Sequence, residues 1–418
     1  MYLLPEHQKN KKYYLNLLIS SYLLYTVSIA IKMVYSAQMV EIGPYFGVDK
    51  TQLSIGLTIY YIVYAVAQVV FSFLIKKVNI KNFIGITVVL SGLSFGLMSV
   101  ITELWQAWVI LALNGIFQIG IWGGCMSIFA KYMPDYTTTH ITNVMSTGMA
   151  MGTALAYGFS AFFTAVLSWK WTFVLFGVLS LVTVVYFVIS EKQIENNVGT
   201  VKLKDFSTSS DKDNSVNKKV VFLLVFFTCI ISLIISVVYY GLTNWVPSLL
   251  KDVYGVPSSY SILITILLPL GIFFGPFVAN YFCDKSKNYF SVGIPLVIIA
   301  FIGVVLMVFF YDIHIVFAVI CSLAILFFTR GFMNVLLAYI PLKIRKYIET
   351  GKLSLILNAV ACVSVGDERK VELIASSSLL GRFDERRGFE DVDNKGGWMW
   401  DLSLIMNTRF LEGGEQRG

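Results

Sequence analysis

Two side chains carry charge where charge is costly. Lys32 lies in an apolar run over roughly 15–39, and Arg330 in another over roughly 314–341. Taking span centres near residues 27 and 327 and a rise of ~1.5 Å per residue, they fall about 7 Å and about 5 Å from the middle of their runs. Such a cation costs about 2.5–3.5 kcal/mol in hydrocarbon, so it should face a polar interior. The apolar runs hold no acid to pair with either. An anionic solute would supply the countercharge, and Arg can hold a carboxylate or phosphate through two parallel hydrogen bonds. Lys32 has a second option, snorkelling towards the nearer interface. Arg330 has a polar neighbour at helical spacing, Asn334.

Other polar residues repeat at the same i, i+4 spacing: Tyr60, Tyr64 and Gln68; Asn114, Gln118 and Trp122; Tyr240 and Asn244. An amide against lipid is expensive, so these faces should point inward, either orienting a solute or bonding neighbouring helices. The substrate-binding set expected from the sequence is Lys32, Arg330, Tyr64, Gln68, Asn114, Gln118, Asn244 and Asn334. The solute expected is small, anionic and hydroxylated. Pairs of small residues (Gly148 with Gly152, Gly271 with Gly275) read as helix-packing surfaces, and Pro269 and Pro276 as points where their helix bends.

The elements that must position these groups follow from composition. The 418 residues are 57% hydrophobic and 14% charged, with a mean hydropathy of +0.73. Those values exclude an ordinary soluble enzyme, a disordered chain and a collagen-like fibre. Apolar runs recur near the ~20 residues a helix needs to cross a bilayer. They cover roughly 15–39, 52–75, 82–101, 105–130, 141–167 and 170–190, then 220–249, 258–282, 289–311 and 314–341. An eleventh starts near Leu353 and fails after Val365. The fold class is an all-α polytopic membrane protein.

Basic residues set the expected orientation. With the N-terminus cytoplasmic, 19 Lys and Arg fall on the cytoplasmic side and three, Lys50, Lys170 and Lys251, fall outside. The five cysteines and three histidines form no C-x-x-C or metal-spaced cluster, so neither a metal nor another cofactor is expected. No glycine-rich phosphate loop, Gly-x-Ser-x-Gly elbow or paired-carboxylate arrangement is present, which points away from an enzyme or an ATP-driven pump. The partners expected are the bilayer, a small organic anion and a coupling ion or exchanged anion. No nucleic acid partner is expected, and the chain reads as a monomer in the plasma membrane.

Six spans, a polar linker and a second set of spans resemble the major facilitator superfamily, whose two six-helix halves rock around a central site. That superfamily's loop between spans two and three reads Gly-x-x-x-Asp-Arg/Lys-x-Gly-Arg/Lys. Residues 72–81 keep its basic positions, Lys76, Lys77 and Lys81, without the glycines or the acid, and the equivalent loop of the second half keeps an acid–base pair, Asp284 and Lys285. The resemblance makes these five the gating loops. The stretch from Leu113 to Cys125, with Tyr240 to Pro247 and Tyr64 to Gln68, is similar to the organophosphate:phosphate antiporter branch, which includes sugar-phosphate permeases. Lys32 stands about where that branch has a first-span cation. Tyr239 stands where it has an arginine, and its fifth-span histidine is missing from the stretch Ser146 to Gly152.

The resemblance implies secondary transport by alternating access; the rival expectation is a transport-inactive permease-like sensor. The domain reading is a tail at 1–14, a six-span half at 15–190, a linker at 191–219, a second half at 220–362 and an aberrant segment at 363–418. In the last segment 19 charges fall in 56 residues, where two more spans would stand. Its onset inside an apolar run rather than at a loop reads as a change of coding frame, which leaves spans eleven and twelve disrupted.

Overall fold

The structure is a computed structural model that describes residues 8–74, 78–134, 137–198, 218–286, 289–336, 357 and 359–360. It divides into a unit over Met1–Val371 and a second over Glu372–Gly418, the latter outside the described residues. The eleventh apolar run is described only at residues 357, 359 and 360, and the charged segment from 363 not at all.

Without water in the hydrocarbon, a spanning backbone must satisfy its own hydrogen bonds, and helices do so within one segment. The described residues form α1 (Lys11–Phe46), α2 (Lys50–Leu74), α3 (Ile80–Gly96), α4 (Leu104–Phe117), α5 (Ile121–Tyr132), α6 (Thr138–Val166) and α7 (Lys170–Asn197). After the linker come α8 (Lys218–Tyr254), α9 (Ser258–Thr265), α10 (Leu268–Ser286), α11 (Tyr289–Phe310) and α12 (Ile315–Asn334). Ten stretches among them are long and apolar enough to cross a membrane. They match the ten runs read from hydropathy to within a few residues, except at α1 and α7, which extend further, and at the tenth run, whose last residues, 337–341, lie outside the described residues.

Local chemistry sets the ends. Gly47, at φ 64°, ends α1 and returns its N–H to Gly43 O, a conformation glycine adopts without a Cβ penalty. Asn79 caps α3 by accepting from the Asn82 N–H at 3.3 Å. Glu103 and Gln106 form a reciprocal capping box at the start of α4. Each cap satisfies donors that would otherwise be left at a helix end.

Two spans are broken. The fourth consists of α4 and α5, separated at Gln118–Gly120, where Gly120 takes φ 74°. The eighth consists of α9 and α10. Pro269 has no N–H with which to continue the helix there, and Ile266, Leu267 and Leu270 instead bond three residues back at 3.0–3.2 Å.

Close packing comes from the glycines read as packing surfaces. A Cβ on Gly152 would collide with the Thr26 carbonyl oxygen of α1. One on Gly271 would lie 2.7 Å from Leu323 O in α12, and one on Gly275 would collide with Phe327 O. The small residues let α6 lie against α1, and α10 against α12, at backbone contact.

The spans run alternately up and down, so the bundle has two ends. One holds the turns at 47–49, 101–103, 167–169 and 255–257; the other, called the linker end, holds the starts of α3, α6 and α8 and the end of α7. The apolar clusters sort by end. At the linker end, one cluster around Leu17, Phe129 and Phe187 belongs to the first half, and another around Ala279, Leu296 and Phe332 to the second. From mid-height towards the Lys50 end, mixed clusters join the halves: Met149 and Ala150 with Tyr239 and Leu268, and Val40 and Tyr157 with Ile262.

Candidate functional site at the meeting of the halves

Both intramembrane cations turn onto aromatic rings. The Lys32 Nζ of α1 lies 4.0 Å from the ring centroid of Tyr64 in α2. The guanidinium carbon of Arg330 in α12 lies 5.4 Å from the ring centroid of Tyr239 in α8. A cation over a ring face gains about 0.5–2 kcal/mol from the ring quadrupole. Part of each burial cost is thereby offset within the cation's own half.

Arg330 is not fully compensated. Arg330 Nε is buried and finds no hydrogen-bond acceptor. Tyr25 of α1 packs on Trp122 of α5 with ring centroids 5.0 Å apart, and it lies within electrostatic reach of Arg330, Tyr64 and Tyr239. Tyr61 and Tyr240 meet across the same boundary at 5.2 Å. The centre is thus a cluster of rings with a cation on either side. Among the described residues no group of three or more His, Cys, Asp or Glu could hold a metal ion.

The amides occupy other positions. Asn114 accepts from Ser91 Oγ at 2.7 Å and donates to Ser94 Oγ at 2.9 Å and Ile110 O at 3.1 Å. Gln118 accepts from the Tyr60 hydroxyl at 3.2 Å and Ser28 Oγ at 3.4 Å, and donates to Ser91 Oγ at 3.3 Å. Together they bind α1, α2, α3 and α4 into one unit. Asn244 accepts from Ser36 Oγ at 3.1 Å, across the halves. Asn334 donates to Asn280 Oδ1 of α10 at 2.6 Å, so it and Arg330 reach different helices despite their spacing. Gln68 lies 3.5 Å from the Tyr64 hydroxyl.

Of the loop residues, Lys76 and Lys77 lie outside the described residues, as does the side chain of Asp284; Lys285 is exposed. Lys81 pairs with Glu191, which is 2% exposed, and lies 3.6 Å from Glu195. The boundary read at residue 191 falls inside α7, and the extra turns of that helix carry Glu191 inward. The Tyr132 hydroxyl donates to Glu191 Oε1 at 2.8 Å. Burial, and then the Glu191 carboxylate, push the Tyr132 phenol above its ordinary range.

At the Lys50 end the halves are tied together. Lys50 pairs with Asp252, Lys251 Nζ donates to Val40 O at 2.8 Å, and the Tyr157 hydroxyl donates to Thr243 O. Tyr25, Tyr61 and Tyr239 were not among the site residues expected from the sequence. Their signal in the sequence was no more than an abundance of tyrosine, 23 residues of which 15 lie in the apolar runs, and which of them converge depends on packing.

No curated protein matches the chain. Among solved structures it is similar to a bacterial homolog of the human lysosomal transporter Spinster, in an inward-facing and unoccupied conformation. The TM-score is 0.69 at 15% identity, over 90% of this chain and 85% of that one. It is also similar to a D-xylose–proton symporter, with a TM-score of 0.65 at 11% identity, over 90% and 91%. At these identities the likeness is one of fold. The model of the Major Facilitator Superfamily matches residues 18–365, most of the chain, and the chain belongs to that superfamily.

Proposed function

We propose that the chain is a secondary transporter that carries a small organic anion between its halves by alternating access. The observation that carries this reading is Arg330: a guanidinium set on a ring, with a buried Nε that lacks an acceptor, facing a half whose own cation is Lys32. Two cations near one boundary repel, and an anion between them relieves both penalties. The motifs of the fourth and seventh spans support kinship with the organophosphate:phosphate antiporter branch. Tyr239 replaces that branch's arginine, and Arg330 from another span supplies the guanidinium over it.

The positive-inside count supports a cytoplasmic N-terminus and an outward-facing Lys50 end. On that orientation the ties at Lys50, Lys251 and Tyr157 close the outer side, so the described state faces inward. The Spinster homolog's inward-facing form is in keeping with this. The chain acts as a monomer in the plasma membrane, and an exchanged anion or a coupling ion completes the cycle.

The test is counterflow of radiolabelled organic anions into liposomes. Exchange should be lost with Arg330→Gln, and Arg330→Lys should weaken it about tenfold, because the point charge lacks the guanidinium's fork. Transport of a neutral or cationic solute that survives Arg330→Gln unchanged would refute the anion site. Binding without exchange would identify a sensor instead.

A further inference from the structure

Four of the amides expected at the site hold helices together, and the fifth, Gln68, donates to the Tyr64 hydroxyl of its own helix. Gln118 and Asn114 are bonded at both ends of their amides within the first half, and both are nearly fully buried. Asn334 ties α12 to α10, and Asn244 takes a bond from Ser36. A polyhydroxylated solute needs several convergent donors and acceptors, and recruiting these amides would break the bonds that assemble the bundle. What the two halves do present to each other is ring surface. Tyr25 and Trp122 pack together in the first half, Tyr61 meets Tyr240 across the boundary, and Tyr239 lies beneath Arg330. Trp122 remains 36% exposed although it stands against Tyr25. Tyr and Trp rings favour flat partners that stack or meet edge to face.

We infer that the anion taken here has a flat apolar body, so that an aromatic carboxylate fits this site better than a polyhydroxylated phosphate ester. The inference rests on the anion reading above and departs from the small hydroxylated solute that the polar stripes suggested. The carboxylate meets the Nε edge of Arg330, whose N–H groups donate side-on to its two coplanar oxygens. The ring of the ligand lies against Tyr25 and Trp122. Tyr25 is then a specificity-determining residue: it distinguishes a carboxylate with a ring from one without.

Isothermal titration of the full chain in nanodiscs, with benzoate, acetate, glycerol 3-phosphate and benzyl alcohol as probes, tests this. Benzoate should bind at least about tenfold more tightly than acetate and glycerol 3-phosphate, and benzyl alcohol should not bind. Tyr25→Leu should weaken benzoate about fivefold or more, and Tyr25→Phe should retain it. If acetate or glycerol 3-phosphate binds as tightly as benzoate and Arg330→Gln abolishes that binding, the aromatic inference is overturned while the anion site stands. If benzyl alcohol matches benzoate, if Arg330→Gln leaves benzoate unchanged, or if no probe binds, both readings fall. Should Tyr25→Leu not fold, the ranking of ligands on the unaltered chain decides alone.

Discussion

Arg330 and Glu191 show two ways of tolerating a buried charge. Glu191 is matched by Lys81 and by the Tyr132 hydroxyl, so it serves as a tie between α3, α5 and α7. Replacing Glu191 by Gln should lower stability by about 1–3 kcal/mol, less than a fully buried pair would lose because Lys81 is 23% exposed. A thermal melt in detergent reads this, and an unchanged midpoint would mean that the pair contributes nothing. Arg330 has a ring in place of a carboxylate. Tyr239→Phe should keep the quadrupole and leave ligand binding intact. Tyr239→Leu should lose the ring and weaken anion binding about threefold to tenfold, and equal behaviour of the two variants would show that the ring is mere packing. The charge of Arg330 and its apolar setting are legible in the sequence. Its ring partner is not, since Tyr239 lies 91 positions earlier and only helix packing brings them together.

The helices follow from hydropathy, because a bilayer permits little besides a closed helical backbone at that depth. The breaks within them were less legible. Gly120 reads as one of several small residues in its run, yet it alone in the fourth span adopts positive φ. An added Cβ there would meet the Phe71 ring at 2.5 Å as well as incurring the left-handed penalty of about 1–2 kcal/mol. Gly120→Ala should therefore lower the melting midpoint, and adding Phe71→Leu should restore only part of the loss, since it frees space and leaves the backbone strained. Full recovery in the double variant would show that the clash was the whole cost. The polar stripe of α4 illustrates the same limit. Spacing puts Asn114 and Gln118 on one inward face, but the bonds to Ser91, Ser94 and Tyr60 that engage them come from α3 and α2.

At the scale of the molecule, the contacts at the Lys50 end differ in strength. Lys50 and Asp252 are each 44% exposed, and such a pair contributes only about 0.2–1 kcal/mol. The bonds from Lys251 and Tyr157 to carbonyls on the opposite half are more buried. Asp252→Asn alone should then raise outside labelling of a Ser36→Cys reporter less than about fivefold, and Lys251→Met with Tyr157→Phe should raise it more. The reverse order would show that the surface pair is the main tie. The proposed orientation is checked by labelling at Lys50, expected from outside only, and in the linker, expected from the cytoplasm only. For the charged segment from residue 363, we propose that it is out of frame. Translating the other frames around codons 360–410 should yield continuous apolar spans eleven and twelve, and a lack of any such frame would make the segment genuine.

Hydropathy and charge placement are sums over neighbouring residues. They were therefore enough to give the ten spans of the described residues, their order and the two cations that the bilayer makes costly. The partners of those cations, the division of amides between ties and site, and the ring cluster at the boundary are set by contacts between residues far apart in the chain, as many as 208 positions for Ser36 with Asn244. Helical spacing states which residues share a face. It does not state which helix that face meets, and that is where packing decided whether an amide binds a neighbour or stands beside a solute.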